Sequence, residues 1–522
     1  MTLDLNLLAT LPVLVPLLAA VVVLVVDAAV PGRRQPHLWL TAAGLLGGAL
    51  AVLPGLAQPA GDARGAFCLA TGQCLYTADR LTSVLQLTAL AAAGVVLALA
   101  WGDWGGPSRT GRAPVVAALV LGATAGAAAV PAAGDLGTLL VALELATLPA
   151  VGLVALADPR WPAERRARST EGAVALLMTS LVSFGLVALG AALWVAATGT
   201  ALLSLPTTRD PVLLLLASVF ILAGLGFKLS AVPFHAWTPV TYTTAPLPVT
   251  TYLATVSKAA ALGAAVVLVR ALGEVDETAL LAVALMAALS MTVGNLVALV
   301  QVDTVRLLAW STVAQAGWVL LPLASLSSRA VHAAGSYLVV YVLGTLLAFA
   351  VVVAVAETRG HDGGGAGTSL DAHAGLLRRR PLLALPLGLA LLTLAGLPPA
   401  VVGLVAKVVA LRPVAGDGTW WLAVVAALNV ALGIAVYVRW LARVLGPAPV
   451  GAPEPVRVGA AGGGAAGAPA RSGAGTDDEV RPAGGEPQGE AAPPHTPARV
   501  WVVVAVLTLL VVVWSISPVG IV

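Results

Sequence analysis

Residues 221–237, ILAGLGFKLSAVPFHAW, decide the fold. This is an apolar run interrupted by one ionisable residue, Lys228, and one helix-breaking proline, Pro233. Two other runs have a similar composition. VTTYLATVSKAAALGAAVVLV (249–269) encloses Lys258, and LAGLPPAVVGLVAKVVAL (394–411) encloses Lys407 behind Pro398 and Pro399. The chain has no further lysine. Its other basic residues are arginines, nearly all in polar loops. Arginine keeps its proton in almost any surroundings, whereas a desolvated lysine can release one near neutral pH. Lysine confined to apolar stretches points to proton movement.

Composition sets the frame. The chain is 59% hydrophobic and 10% charged, with a mean hydropathy of +0.96, against roughly 25% charged residues in soluble domains. Apolar runs of about 20 residues recur from end to end, each long enough to cross a bilayer. The fold class is therefore an all-α polytopic membrane protein. About fourteen transmembrane helices are expected, near 7–29, 38–57, 79–101, 113–131, 136–157, 171–196, 211–236, 247–271, 278–301, 306–325, 330–356, 381–411, 419–446 and 498–520. Continuous apolar runs exclude a β-barrel, which needs short alternating ones. The first run lacks a cleavage-site pattern and reads as a retained helix.

Arginine placement orients the chain. Arg33 and Arg34, then Arg160, Arg165, Arg166 and Arg168, then Arg359, Arg378, Arg379 and Arg380 fall in loops on one side. The alternate loops carry fewer. The positive-inside rule puts the rich loops in the cytoplasm and both termini outside. Cys68 and Cys74 share an outward loop, where a disulfide and two inert thiols are both open readings. Their spacing offers no metal site. Residues 360–376 read as a short cytoplasmic linker. Residues 447–497, rich in Gly, Ala and Pro, read as a flexible tether that leaves span fourteen as an appended helix.

The chemistry sits in mid-span. Glu144 lies in LLVALELATLPAVGLVAL (139–156), and the three lysines lie equally deep. Four ionised groups in hydrocarbon would cost on the order of 10 kcal/mol unless they face one another or a hydrated interior. Glu144 needs a cation, and Lys228 is the natural candidate. Lys258 and Lys407 have no carboxylate within a span, which suits groups that take up and release protons. The competing reading is a structural pair and two snorkelling lysines, but lysines snorkel near helix ends. Pro233 cannot donate to the carbonyl of Leu229, so backbone beyond Lys228 should be freed to hold water. Pro398 and Pro399 should do the same in span twelve. His235, seven residues after Lys228, is expected on the same helix face two turns on, placed to hand protons onward. Ser230, Thr255, Ser257, Asn295 and Gln301 are candidates to line a water path.

At these residues the chain resembles the antiporter-like membrane subunits of respiratory complex I. The carriers are FKLSAVPFHAWTPVTYTTAPLPVTTYLATVSKAA (227–260), LELATLP (143–149), RLLAWSTVAQAGW (306–318), YLVVYVLGTLLAFAVV (337–352) and LAGLPPAVVGLVAK (394–407). Within that group, length and the span-twelve lysine make it most similar to the subunit N type of NADH-quinone oxidoreductase. The resemblance implies two inverted five-helix repeats with broken helices 7 and 12. The units would be 1–110 (helices 1–3), 111–271 (first repeat), 278–446 (second repeat), 447–497 (linker) and 498–522 (helix 14). It implies a relay of Glu144, Lys228, Lys258 and Lys407, supported by His235, Pro233, Pro398 and Pro399. Four positions depart from the family pattern: Val240, Ala175, Val305 and Gln315 stand where polar or charged residues are usual.

The expected function is proton translocation within a quinone-reducing dehydrogenase, driven by redox chemistry in other subunits. No redox site is expected in this chain: it has no cysteine cluster and no glycine fingerprint, so no cofactor and no metal. Expected partners are other membrane-arm subunits and the lipid bilayer, with protons as substrate and no nucleic acid. The expected location is a bacterial-type cell membrane. Two alternatives are a subunit of a multisubunit cation/proton antiporter and a non-pumping scaffold of the membrane arm.

Overall fold

The computed structural model describes residues 6–30, 35–59, 61–70, 72–105, 112–156, 161–204, 210–273, 277–358, 367–447 and 496–518. They form a helical bundle. The first six helices are α1 (Leu7–Ala29), α2 (Gln35–Leu56), α3 (Arg80–Gly105), α4 (Arg112–Ala129), α5 (Leu136–Ala155) and α6 (Ala163–Thr198). Next come α7 (Pro211–Leu229), the short α8 (Trp237–Thr244), α9 (Leu247–Gly273), α10 (Glu277–Ala298), α11 (Thr304–Leu323) and α12 (Ala330–Thr358). The last are α13 (Leu376–Arg379), α14 (Pro381–Ala395), α15 (Val401–Gly416), α16 (Trp420–Leu445) and α17 (Ala498–Ile516).

Among the described residues, twelve helices are long and apolar enough to cross a membrane. Two further crossings complete fourteen. One is α11, 20 residues long and buried along nearly its whole length, with Arg306 in its first turn exposed. The other is the pair of consecutive half-helices α14 and α15, of 15 and 16 residues, each too short to span alone.

Aspartates start several helices. Asp135 accepts from the backbone N–H groups of Gly137 and Thr138, Asp210 from those of Val212 and Leu213, and Asp303 from that of Arg306. Each satisfies donors that the first turn leaves unpaired. Small residues bring helices together. A Cβ at Gly126 in α4 would collide with the backbone of Leu145 and Ala146, so glycine sets the close approach of α4 to the helix that carries Glu144.

Several expectations need correction. Span six starts eight residues earlier than its apolar run, at Ala163, because the amphipathic turn AERRARST is helical too. The loop with the cysteines is a hairpin, β1 (Ala63–Cys68) and β2 (Cys74–Asp79), paired antiparallel. Cys68 and Cys74 face each other in register and form a disulfide. Tyr76 in β2 takes a hydrogen bond from Gln86 Nε2 at 2.8 Å, and burial pushes its hydroxyl up to about 12. Part of the 360–376 linker is packed structure. Ser369 bridges to Asp303, Thr304 donates its N–H to Thr368, and His373 lies edge-on to Trp440 at 5.6 Å. Polar composition disguised this because the partners lie 64 residues or more away. The tether expected at 447–497 falls almost wholly on residues 448–495, outside the described residues, as do Arg33, Arg34, Arg160 and Arg359.

Candidate functional site

Helix α7 ends at Leu229, four residues before Pro233. Ser230 closes it in the left-handed conformation, φ 62°. A non-glycine residue there is uncommon and carries strain, and the site makes use of its side chain. Ser230 Oγ hydrogen-bonds Lys258 Nζ and also Thr238 Oγ1. Glycine would supply the turn without the hydroxyl. The carbonyl that finds a partner here is that of Lys228, not Leu229 as the proline rule alone predicts. Lys258 Nζ donates to it at 3.0 Å. The ammonium thus sits at the negative end of a helix dipole, where a cation is favoured, 4.6 Å from the centre of the Trp237 ring.

Lys228 points the other way. Its Nζ lies 2.8 Å from Glu144 Oε1, 2.8 Å from Ser180 Oγ and 3.0 Å from Thr147 Oγ1. Beside it is a cavity large enough for water, lined in part by Thr179, Ser180, Trp237 and Ser257. The lysine is buried, while Glu144 keeps 17% of its side chain exposed. Its neighbours on the outer face of α5, Val141 and Leu148, are open to the surroundings.

The second break follows the same logic. Gly396, φ 78°, closes α14, and α15 begins at Val401. Lys407 reaches back across the gap to donate to Ala395 O at 2.7 Å, with Trp318 5.1 Å away. A Cβ at Gly403 would strike the Thr393 carbonyl, so glycine holds the two half-helices together at the gap. The peptide bonds before Pro233 and Pro399 are both cis.

Between Lys258 and Lys407 lies a buried cluster that sequence reasoning missed. Tyr341 Oη donates to Ala254 O at 2.8 Å, one turn before Lys258, and lies 3.2 Å from Thr312 Oγ1. One turn along α11, Gln315 takes a hydrogen bond from the Tyr337 hydroxyl. Its Nε2 lies 2.9 Å from Tyr437 Oη and 3.4 Å from Leu394 O, the carbonyl next to the one Lys407 holds. Ser311 and Tyr437 join at 2.6 Å. All six tyrosines of the chain are buried, and a buried phenol seeks a partner. Gln315, a departure from the family pattern, is the hub. Tyr437→Phe is expected to weaken any transfer through this cluster by about three- to tenfold, the loss of one or two hydrogen bonds, with little effect on assembly. Single-turnover proton release compared with wild type checks it.

His235 is not two helical turns beyond Lys228. The helix has ended, so residue 235 lies in the break and its ring packs on Trp310 at 5.2 Å. Thr255 bonds its own helix at Thr251 O, and Gln301 bonds Val297 O. Asn295 bonds Asn429 Oδ1 at 3.1 Å, joining α10 to α16. None of these three bonds is to a lysine. Among the described residues no group of three metal-ligating side chains occurs.

The chain as a whole has relatives. Residues 133–433 match the family model described as NADH:quinone oxidoreductase/Mrp antiporter, TM. The chain belongs to that family. It is 41% identical over 465 residues to NADH-quinone oxidoreductase subunit N 2 of Streptomyces griseus, covering 86% of this chain and 84% of that one. It is 36% identical to NADH-quinone oxidoreductase subunit 14 of Thermus thermophilus over 372 residues, 70% and 78% of the two chains. A chain of respiratory complex I from Thermus thermophilus superposes with a TM-score of 0.74 at 28% identity, over 97% of both chains. A chain of the Mrp complex from Dietzia shares the fold, with a TM-score of 0.76, 21% identity and coverage of 98% and 95%.

Proposed function

We propose that this chain is a proton-translocating membrane-arm subunit of an NADH-quinone oxidoreductase, using Glu144, Lys228, Lys258 and Lys407 as its relay. The observation that carries the reading is the placement of two buried ammonium groups at the ends of broken half-helices, with hydroxyls and amides between them. Energy enters from redox chemistry in other subunits. Glu144, partly exposed on the outer face of α5, is where a neighbouring subunit can reach the ion pair. When the pair separates, the unpaired charge of Lys228 repels the proton on Lys258, and the polar cluster around Gln315 offers it a way toward Lys407. His235 has no step in this scheme. Pro399 cannot donate to Ala395 O, the carbonyl Lys407 holds, and Pro233 keeps the helix from resuming after the Ser230 turn that frees Lys228 O.

The same reading places 111–271 and 278–446 as two inverted repeats and both termini outside a bacterial-type cell membrane. Replacing Lys407 with Ala is expected to lower the protons moved per NADH oxidised by the assembled complex, with NADH oxidation retained. An unchanged ratio would overturn the relay. The second reading, a cation/proton antiporter subunit, rests on a family description that covers both classes. Adjacent genes decide between them: dehydrogenase subunits support the first, small antiporter subunits the second.

A further inference from the structure

The two helix breaks are each tied down by a serine from a distant helix. At the first, the N–H of Val232 donates to Ser290 Oγ of α10 at 2.9 Å. At the second, the N–H of Val402 donates to Ser515 Oγ of α17 at 3.4 Å. Val402 is in the first turn of α15, whose N-terminal donors have no intrahelical partners. Ala400, the residue at its N-cap, provides no side-chain hydrogen bond. Helix α17 supplies from outside the cap that α15 lacks.

The chain order of the two ties is parallel. Helix α10 is the second membrane-crossing helix after the α7 break, and α17 is the second after the α14–α15 break. The sequence of α17 fits this task. Its buried face runs through Val500, Val504, Leu507 and Val511. The next position on that stripe, four residues on, is Ser515, a hydroxyl where packing alone would favour another apolar residue. At the other end of α17, Arg499 Nη2 pairs with Glu357 Oε1 of α12 at 3.1 Å. The helix is held at both ends, and one hold is the cap.

We infer that Ser515 is a positioning residue for Lys407. The cap fixes the first turn of α15 against α17, and Lys407, farther along α15, must reach back across the gap to Ala395 O of α14. If the first turn frays, the half-helices shift and that hydrogen bond lengthens. The appended helix is then a brace on the second break, not only a segment docked to its flank. The functional half of this inference rests on the relay reading above, while the cap stands on geometry alone.

Two variants, Ser515→Ala and Ser515→Thr, in the assembled complex test it. Hydrogen exchange of the backbone amides at 400–403 is followed together with protons moved per NADH across a pH series. With Ser515→Ala, exchange there is expected to be about fivefold faster, the loss of one hydrogen bond. The proton ratio should fall with a changed pH profile. Ser515→Thr should restore both. Ser290→Ala should loosen 230–234 and leave 400–403 unchanged. Unchanged exchange at 400–403 in Ser515→Ala would overturn the cap. Faster exchange with an unaltered proton ratio and pH profile would overturn the positioning role. If Lys407→Ala pumps normally, the relay reading fails, yet the exchange measurement still decides the cap.

Discussion

Replacing Lys258 with Met should stop proton movement through this subunit while leaving NADH oxidation by the complex in place. Lys258 is completely buried, and its ammonium is the group that holds both Lys228 O and Ser230 Oγ. A relay without its central proton carrier loses about a hundredfold or more, the usual contribution of a positioned acid–base group. Methionine is close in volume and flexible, so packing should be largely kept. Lys258→Arg separates the two things the lysine does. Arginine keeps a charge at the end of α7 but does not give up its proton. It should preserve assembly and still fail to pump. Proton uptake into vesicles per NADH oxidised is the measurement. Normal uptake in Lys258→Arg would show that Lys258 only caps the helix.

That separation reflects what the sequence could and could not convey. The depth of the four ionisable residues was legible, because the cost of a charge in hydrocarbon depends only on where it lies in an apolar run. The partnership of Glu144 with Lys228 was legible for the same reason. The break in α7 was legible from Pro233, but not its position. Ser230 turns the chain first, so Lys228, not Leu229, presents the freed carbonyl. With the helix ended, the periodicity that placed His235 beside Lys228 had nothing to act on. The tyrosine cluster was hidden because its bonds join residues 22 to 126 apart, and an aromatic in an apolar run reads as packing. Val240 and Val305 stand where polar residues are usual, while Gln315, Tyr337, Tyr341 and Tyr437 supply buried polar groups elsewhere in the interior.

Cutting the Glu144–Lys228 pair on one side only should have the largest effect on assembly. In Glu144→Ala, the Lys228 ammonium keeps Ser180 and Thr147 as partners but loses its countercharge in a buried site. Removing one partner of such a pair costs about 3–5 kcal/mol, a large share of the stability of an ordinary domain. The yield of assembled complex should drop sharply. Replacing both partners, as in Glu144→Ala with Lys228→Met, removes the orphaned charge. Apolar replacements of buried pairs are often neutral or stabilising, so assembly should return toward wild type. Pumping should not return, because the switchable charge is gone. Glu144→Gln should fall between: its amide oxygen still accepts from Lys228 Nζ, but without the countercharge. The ordering of assembly, double variant above Glu144→Gln above Glu144→Ala, is what an ion pair held for function produces. A pair held for stability alone would leave the double variant well below wild type. A double-mutant cycle on yield, read beside protons moved per NADH, separates the two.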